Sequence, residues 1–275
     1  MKKLIVLLLT AVVLFAFAPQ KQLKWMAIGD SITYHNNHLE STKGILTKGY
    51  MDRVVDKLPY VKFANHGYPG WTAQGIAENF DNLHLEKADV YTLFLGTNDW
   101  WVGLPIGTGD DYRDNTGPKS VYGAYRVIID KIRQQNSEAK IVLLTPLQRT
   151  DFIDINNVRS IIHGSYKPNR QGVALSAYTD AIKNIAQAEK LELVDLYYKS
   201  GITVKNAVKY KRLRKVDSSY QNYVYPKYID LPFNPDEDEY PYPTEAIDWT
   251  YDGLHPSDKG HQKIADMLVK LMKKY

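Results

Sequence analysis

Residues 23 to 33 read LKWMAIGDSIT, an apolar run that ends at a glycine and passes into polar residues. The apolar run predicts a buried strand, and Gly29 permits a sharp exit that exposes the next side chains. Asp30 or Ser31 can then cap a helix. Two interpretations follow. The stretch is either a strand, a turn and an N-cap alone, or a strand that delivers Ser31 as a nucleophile.

Strand-like and helix-like patterns alternate along the chain. After the first strand, further strands are predicted at residues 60–64, 90–95, 140–144 and 191–196. Helices are predicted at residues 45–58, 73–80, 121–132 and 175–185, and after Ser257. This alternation predicts an α/β fold with a parallel sheet between two helical layers, in which sites form where loops leave the carboxyl ends of the strands. Ser31, Gly70 and Asn98 lie in such loops.

Residues 19–275 are predicted to form a single domain. No internal repeat and no glycine- or serine-rich linker divides them. The alternation fails between residues 197 and 250, where a basic run, many tyrosines and an acidic segment with prolines occur. We expect an irregular insertion packed beside the sheet, serving either as a solvated decoration or as a wall of the substrate cleft.

Residues 1–18 have the layout of a secretory signal peptide. Two lysines precede an apolar run, and small residues at a cleavage site end at Ala18. The run is shorter than the ~20 residues that cross a bilayer, which favours a cleaved leader over a membrane helix. Pro19 is a poor residue after the scissile bond, so the cleavage site stays open. The sequence predicts export to the periplasm or the exterior, without stable membrane insertion once the leader is removed.

Composition limits the classes of partner. A chain of 275 residues with 44% hydrophobic content can bury a full core. The formal charge of +4 falls to about +2 without Lys2 and Lys3, too little to indicate nucleic acid or an anionic membrane. The chain has no cysteine, which excludes disulfides and a lipid-modified cysteine.

The polar residues at the strand ends include every group that a serine nucleophile needs. Attack by a serine at neutral pH requires a base, a group that orients the base, and donors that stabilise the oxyanion. Ser31 is the candidate nucleophile, His255 the base and Asp252 its partner. Asn98 offers an amide donor, and Gly70 a backbone N–H that can approach closely because glycine has no side chain. Taken singly, Asn98, Gly70 and Asp252 also fit ordinary turns and helix starts.

In this order, four blocks resemble the SGNH subgroup of the GDSL hydrolase family. The matching positions are Gly29-Asp30-Ser31, then Asn65 with Gly67 and Gly70, then Gly96-Thr97-Asn98-Asp99, and last Asp252 with His255. The resemblance covers about residues 23–100 and 250–272, and the 197–250 insertion is longer than in compact members. The chain lacks the G-x-S-x-G motif of ordinary α/β-hydrolases.

The resemblance implies a flavodoxin-like three-layer fold with a central five-stranded parallel sheet. It implies an esterase with Ser31, His255 and Asp252 as its catalytic residues. The oxyanion hole would comprise the N–H groups of Ser31 and Gly70 and the side chain of Asn98. Neither a metal nor an organic cofactor is implied.

Two further patterns bear on the site. His35 and His38 are spaced so that one helical turn can bring both to an ion, but no H-E-x-x-H and no second ligand cluster accompany them, so loop histidines are the preferred interpretation. Trp71, Trp100 and Trp101 directly follow Gly70 and Asn98 or lie close after them. They are predicted to bind substrate at the rim of the site, with core packing as the alternative.

The leading hypothesis is an exported serine esterase that removes small acyl groups, acetyl foremost, from carbohydrate through an acyl-enzyme on Ser31. The aromatic rim favours a sugar face over a long acyl chain, which needs a deep aliphatic tunnel. The substrate would be a small-molecule or polysaccharide ester. The alternatives are a lipase-like or thioesterase-like hydrolase of longer acyl esters and a non-catalytic carbohydrate-binding protein of the same fold.

Overall fold

Five parallel strands build the central sheet. The structure, a computed structural model, describes residues 21–275, so the leader predicted at residues 1–18 lies outside the described residues. Counted together with four short strands outside this sheet, the strands in chain order are β1 (Leu23–Gly29), β2 (Val61–Gly67), β3 (Val90–Phe94), β4 (Lys140–Leu144), β5 (Phe152–Ile153), β6 (Ile161–Ile162), β7 (Glu192–Val194), β8 (Lys211–Arg214) and β9 (Tyr220–Tyr223). The sheet has the order β2-β1-β3-β4-β7, and every neighbouring pair is parallel. This confirms the predicted five-stranded parallel sheet.

Helices cover both faces of this sheet. They are α1 (Ser31–Tyr34), α2 (Tyr50–Lys57), α3 (Ala73–Asn79), α4 (Thr97–Val102), α5 (Gly109–Arg113), α6 (Val121–Gln135), α7 (Leu175–Ala188), α8 (Leu196–Lys199) and α9 (Asp258–Met272). One apolar cluster joins α3, α6 and α7 to Met26 and Ile28 of β1. A second joins α2 and α9 to Trp25 and Ala27. Because successive strand side chains point to opposite faces, β1 contributes to both layers, and the three-layer α/β/α prediction is confirmed.

Two of the element boundaries that differ from the sequence prediction have a clear tertiary cause. The helix expected at residues 45–58 begins only at Tyr50, because the Asp258 carboxylate accepts hydrogen bonds from the N–H groups of Thr47 and Lys48 and holds this segment outside the helix. The strand expected at residues 60–64 continues to Gly67, since its polar end still pairs with β1 as far as Gly29. Tertiary contacts therefore decide both boundaries.

Two segments without clear periodicity form antiparallel pairs. β5 pairs with β6 in the connection after β4, where the sequence predicts no element. β8 pairs with β9 inside the 197–250 insertion, and the rest of that insertion is mostly irregular. Within residues 21–275 no helix combines the length and the apolar character needed to cross a membrane.

Gly67→Ala is expected to lower the free energy of unfolding by about 2–3 kcal/mol, in the range of core overpacking. A Cβ at this position would lie 2.1 Å from the backbone nitrogen of Tyr34 and 2.7 Å from the carbonyl carbon of Thr33. Both atoms belong to the helix that begins at Ser31, so neither can give way cheaply. Denaturant unfolding followed by circular dichroism measures the change.

Gly75→Ala is the matched control. Gly75 lies within α3, and a Cβ there would meet no atom closer than 3.6 Å. We therefore expect unchanged stability or a gain of up to about 1 kcal/mol from helix propensity. Equal unfolding midpoints for Gly67→Ala and the wild-type protein would contradict the proposed close approach.

Candidate active site

Ser31 occupies the first position of α1, directly after the turn that ends β1. A Cβ at Gly29 would lie 2.1 Å from the Thr33 hydroxyl oxygen and 3.1 Å from the Phe94 carbonyl oxygen, so only glycine fits the turn. The Asp30 carboxylate accepts a hydrogen bond from the Ile32 N–H at 3.0 Å and caps the helix. The strand, turn and N-cap are therefore present, and they leave the Ser31 side chain half-buried at a cleft.

His255 and Asp252 lie beside Ser31 although more than 200 residues separate them in sequence. The Ser31 Oγ and His255 Nε2 are 2.8 Å apart, and the His255 Nδ1 and Asp252 Oδ2 are 2.6 Å apart. The other Asp252 oxygen accepts hydrogen bonds from the N–H groups of Leu254 and His255, at 3.0 and 2.7 Å. This fixes the carboxylate, so the structure brings together the three residues that the sequence selects as nucleophile, base and orienting acid.

The charge around His255 makes its imidazole a stronger base. Burial is the largest single influence and lowers the pKa of His255, but the charge and hydrogen bond of Asp252 together with the charges of Asp30 and Asp154 outweigh it. The pKa of His255 therefore lies above its ordinary value of 6.5. Burial also raises the pKa of Asp30, to about 6.

Three rings surround the His255 imidazole. The ring centroids of His35, Phe152 and Tyr251 lie 4.7, 5.3 and 5.8 Å from it. Burial, followed by the charge of His255, lowers the pKa of His35 to about 3, so this neighbour stays neutral at physiological pH. His35 begins a short 3₁₀ helix, His35–Asn37, and its side chain is buried beside the base. His38 instead stacks on Tyr34 at 3.8 Å, so the two histidines do not share a site.

The predicted oxyanion donors line the same cleft. Gly70 and Asn98 face it together with Ser31 and His255. One N–H of the Asn98 amide donates to the Trp71 carbonyl at 3.0 Å, which orients the side chain and leaves the second N–H for a ligand.

The backbone conformation of Gly70 favours glycine at this position. A Cβ there would meet no atom within 4 Å, but φ is +77°, a conformation that favours glycine. The predicted approach of the Gly70 N–H to a substrate oxyanion stays a prediction.

Asp99 connects the loops that carry these donors. Its two carboxylate oxygens accept hydrogen bonds from the Ala73 N–H at 2.8 Å and the Gly96 N–H at 3.0 Å. Burial raises the pKa of Asp99 to about 7 despite these bonds. In the second block, the Asn65 amide donates to the Thr33 carbonyl at 3.0 Å and so ties β2 to α1.

Only one of the three predicted substrate-binding tryptophans lines the cleft. Trp101 does, three positions after Asn98 on the same face of α4. The prediction for Trp100 is wrong, because its ring is fully buried and its indole N–H donates to the Val173 carbonyl at 2.9 Å. Trp71 lies outside the cleft lining and stacks on Tyr68, with ring centroids 4.8 Å apart.

One wall of the cleft has no recognisable signal in the sequence. The β5–β6 pair and the loop between its strands contribute five lining residues: Phe152, Asp154, Ile155, Asn156 and Ile162. Two-residue strands carry no periodicity, so only tertiary contacts reveal this wall. The 197–250 insertion contributes no lining residue but braces the wall from behind. Its Tyr240 and Tyr242 hydroxyls donate to the carbonyls of Ile153 and Asp151, at 2.9 and 2.5 Å.

A serine, a histidine and an aspartate arranged in this way at the carboxyl edge of an open parallel sheet define the architecture of a three-layer serine hydrolase. The model of the GDSL-like lipase/acylhydrolase family matches residues 27–263. The chain belongs to this family.

Solved structures with the same fold include one relative of high sequence identity and others of low identity. A possible lipase from Chitinophaga pinensis is 49% identical, with a TM-score of 0.90 over 92% of this chain and 98% of that chain. An acetyl xylan esterase is 21% identical, with a TM-score of 0.53 over 91% and 100%. A lipase/acylhydrolase from Enterococcus faecalis is 20% identical, with a TM-score of 0.51 over 92% and 96%. No curated protein matches the chain.

The kcat/KM for a simple ester is expected to fall as the pH drops through the apparent pKa of His255, which lies above 6.5. The base must be neutral to accept a proton, and the pKa of His255 is raised, so protonation removes activity at a higher pH than for an unperturbed histidine. The pH profile of kcat/KM for 4-nitrophenyl acetate measures this limb.

Asp252→Asn provides the control, because it removes the charge and the acceptor that fix the imidazole. We expect kcat to fall by roughly 10³- to 10⁴-fold, because an asparagine favours the wrong imidazole tautomer and does not stabilise the imidazolium. A limb below pH ~6, or full activity in this variant, would contradict the assignment of His255 as base.

Proposed function

We propose that this protein is an exported serine esterase that removes small acyl groups, acetyl foremost, from carbohydrate. The observation that carries the proposal is the continuous set of contacts from Ser31 Oγ through the His255 imidazole to the Asp252 carboxylate, at 2.8 and 2.6 Å. These contacts open on a cleft of about 400 Å³, large enough for a sugar residue with a small acyl group.

The first half of the reaction forms an acyl-enzyme. His255 Nε2 takes the proton of the Ser31 hydroxyl while Oγ attacks the ester carbonyl carbon. The N–H groups of Ser31 and Gly70 and the side chain of Asn98 donate to the oxygen that becomes negative. When the tetrahedral intermediate collapses, the bond to the alcohol breaks and the imidazolium gives its proton to the leaving oxygen. Asp252 stabilises the imidazolium throughout.

The second half releases the acid. His255 takes a proton from a water molecule that attacks the acyl carbonyl carbon, and the same donors stabilise the second oxyanion. Collapse breaks the bond to Oγ, which receives the proton from the imidazolium. The neutral His35 packed on His255 adds no positive charge that would oppose the imidazolium.

The proposed carbohydrate substrate and the proposed export have separate support. Trp101 and Tyr34 present aromatic rings at the cleft, and flat rings suit the faces of sugars. The fold is also used by an acetyl xylan esterase. Export is supported by the leader pattern of residues 1–18, which lie outside the described structure.

A hydrolase of longer acyl esters is the second candidate. Two apolar side chains that line the cleft favour it, because they could contact a longer acyl chain. They are Val102, with 57% of its surface exposed, and Ile162 of β6. The relative from Chitinophaga pinensis is called a possible lipase. Rates that rise from acetate to octanoate esters would favour this candidate, whereas rates that fall would favour the small acyl groups. No observation favours a non-catalytic carbohydrate-binding role. Such a role would not need the contact between His255 Nε2 and Ser31 Oγ.

Ser31→Ala is expected to reduce the turnover of 4-nitrophenyl acetate by roughly 10³- to 10⁶-fold, because no other group can form the acyl-enzyme. The same variant should release no acetate from a panel of acetylated polysaccharides from which the wild-type enzyme releases it. Acetate release across the panel also identifies the preferred sugar.

Ser41→Ala is the matched control, since Ser41 also lies at the cleft but its hydroxyl donates to the His38 carbonyl at 2.6 Å. Its turnover should stay within about threefold of the wild-type value, roughly 0.6 kcal/mol in barrier. Comparable losses in the two variants, or an active Ser31→Ala enzyme, would contradict the proposed nucleophile.

A further inference from the structure

Asp154 is the cleft residue whose charge neither the family motifs nor the proposed reaction uses. It follows β5 and is half-buried in the cleft lining. Its Oδ1 accepts a hydrogen bond from the Asn156 N–H at 2.8 Å, which fixes the carboxylate in a turn. Its own N–H donates to the Ser160 carbonyl at 3.1 Å. The side chain is therefore held in one place, with its second oxygen not used by this turn.

The wall that carries Asp154 is rigidly braced. The Ile153 N–H donates to the Asp252 carbonyl at 3.1 Å, so β5 is tied to the segment of the catalytic acid. From behind, the hydroxyl of Tyr240 donates to the Ile153 carbonyl at 2.9 Å. Three residues before Asp154 in sequence, Asp151 forms a buried ion pair with Lys211 of the insertion. A charge on this wall cannot move away from a ligand at small cost.

The loop between β5 and β6 also contacts the opposite wall. The Asn156 amide donates to the Ser41 carbonyl at 2.9 Å, and the Lys43 ammonium donates to the Ile155 carbonyl at 2.7 Å. The Lys43 ammonium therefore lies near this loop, but Lys43 is not one of the residues that line the cleft. Among the described residues that line the cleft, none is lysine or arginine, and the Asp252 charge is paired with His255. Asp154 therefore sets the sign of the unpaired charge inside the cleft.

The wall that carries Asp154 packs against His255, the residue that protonates the leaving alcohol in the proposed reaction. The imidazole gives its proton to the leaving oxygen, so the alcohol passes along His255. The Phe152 ring, two residues before Asp154 on the same wall, packs edge-on against His255 at 5.3 Å. The charge of Asp154 also contributes to the raised pKa of His255, which places its field at the imidazole.

We propose that Asp154 is a specificity-determining residue that selects esters of uncharged alcohols, such as neutral sugars, against esters of anionic alcohols, such as uronic acids. The inference rests on the proposed esterase function. A fixed carboxylate repels an anionic leaving alcohol through a partly desolvated cleft and attracts a cationic one. The polar turn beside it suits hydroxyl groups.

Three aryl acetates that differ only in the substituent at the 3-position test this proposal: phenyl acetate, 3-carboxyphenyl acetate and 3-(trimethylammonio)phenyl acetate. In Asp154→Asn, the ratio of kcat/KM for the cationic ester to that for the anionic ester should fall by about tenfold relative to the wild-type ratio. Asparagine keeps an oxygen that can accept from the Asn156 N–H. The ratio also cancels any common effect of a changed His255 pKa.

Two controls separate a local effect from a general one. Asp56→Asn makes the same change in net charge on the exposed end of α2, which leads to the amino end of β2, away from the cleft, so its ratio should equal the wild-type ratio. Raising the salt to about 1 M should also shrink the wild-type ratio, since screening shortens the reach of the charge. This second measurement needs no variant and so does not depend on how Asp154→Asn folds.

The outcomes are distinguishable. An unchanged ratio in a folded Asp154→Asn enzyme, an equal shift in Asp56→Asn, or a wild-type ratio that salt does not alter would overturn the inference while leaving the esterase function intact. A wild-type protein that hydrolyses none of the three acetates would overturn both the inference and the proposed function.

Discussion

The register at the carboxyl end of β1 is the constraint on which the site depends. Gly29 pairs with Gly67 on one side and with Phe94 on the other, so three strands end at the same level. The helix of Ser31 then passes so close to the ends of β1 and β2 that neither glycine has room for a Cβ. Asp99 binds backbone N–H groups from two of the loops that follow. The nucleophile and the proposed oxyanion donors therefore share one rigid edge of the sheet.

The base reaches this edge from the far end of the chain. Asp252 and His255 precede α9, which packs with α2 on one face of the sheet. Their segment is held by a hydrogen bond to Ile153 of β5, and a Cβ at Gly253 would lie 2.0 Å from the Asp151 carbonyl oxygen. The long insertion braces β5 in turn. It thus acts on the site indirectly, as a support of the wall, and both roles considered from its sequence were incomplete.

Much of this architecture follows from local sequence. The fully buried run Val90–Phe94 and the turn at Gly29 predict the sheet and its functional edge, because apolar strands and glycine turns have local signatures. The β5–β6 wall does not follow, since two-residue strands have no period. The burial of Trp100 and His35 depends on packing between distant segments. Neighbouring residues on a helix point about 100° apart, so only the position of α4 decides which of the two tryptophans meets the cleft.

The central claim is that His255 activates Ser31 as a nucleophile, and covalent labelling tests it most directly. A fluorophosphonate reacts with an activated serine by losing fluoride and forming a bond from Oγ to phosphorus. The account predicts that mass spectrometry of the digested protein finds one label, on Ser31, and that His255→Ala loses it in a protein that remains folded. Labelling of a different residue, or equal labelling of Ser31 without His255, would contradict the account.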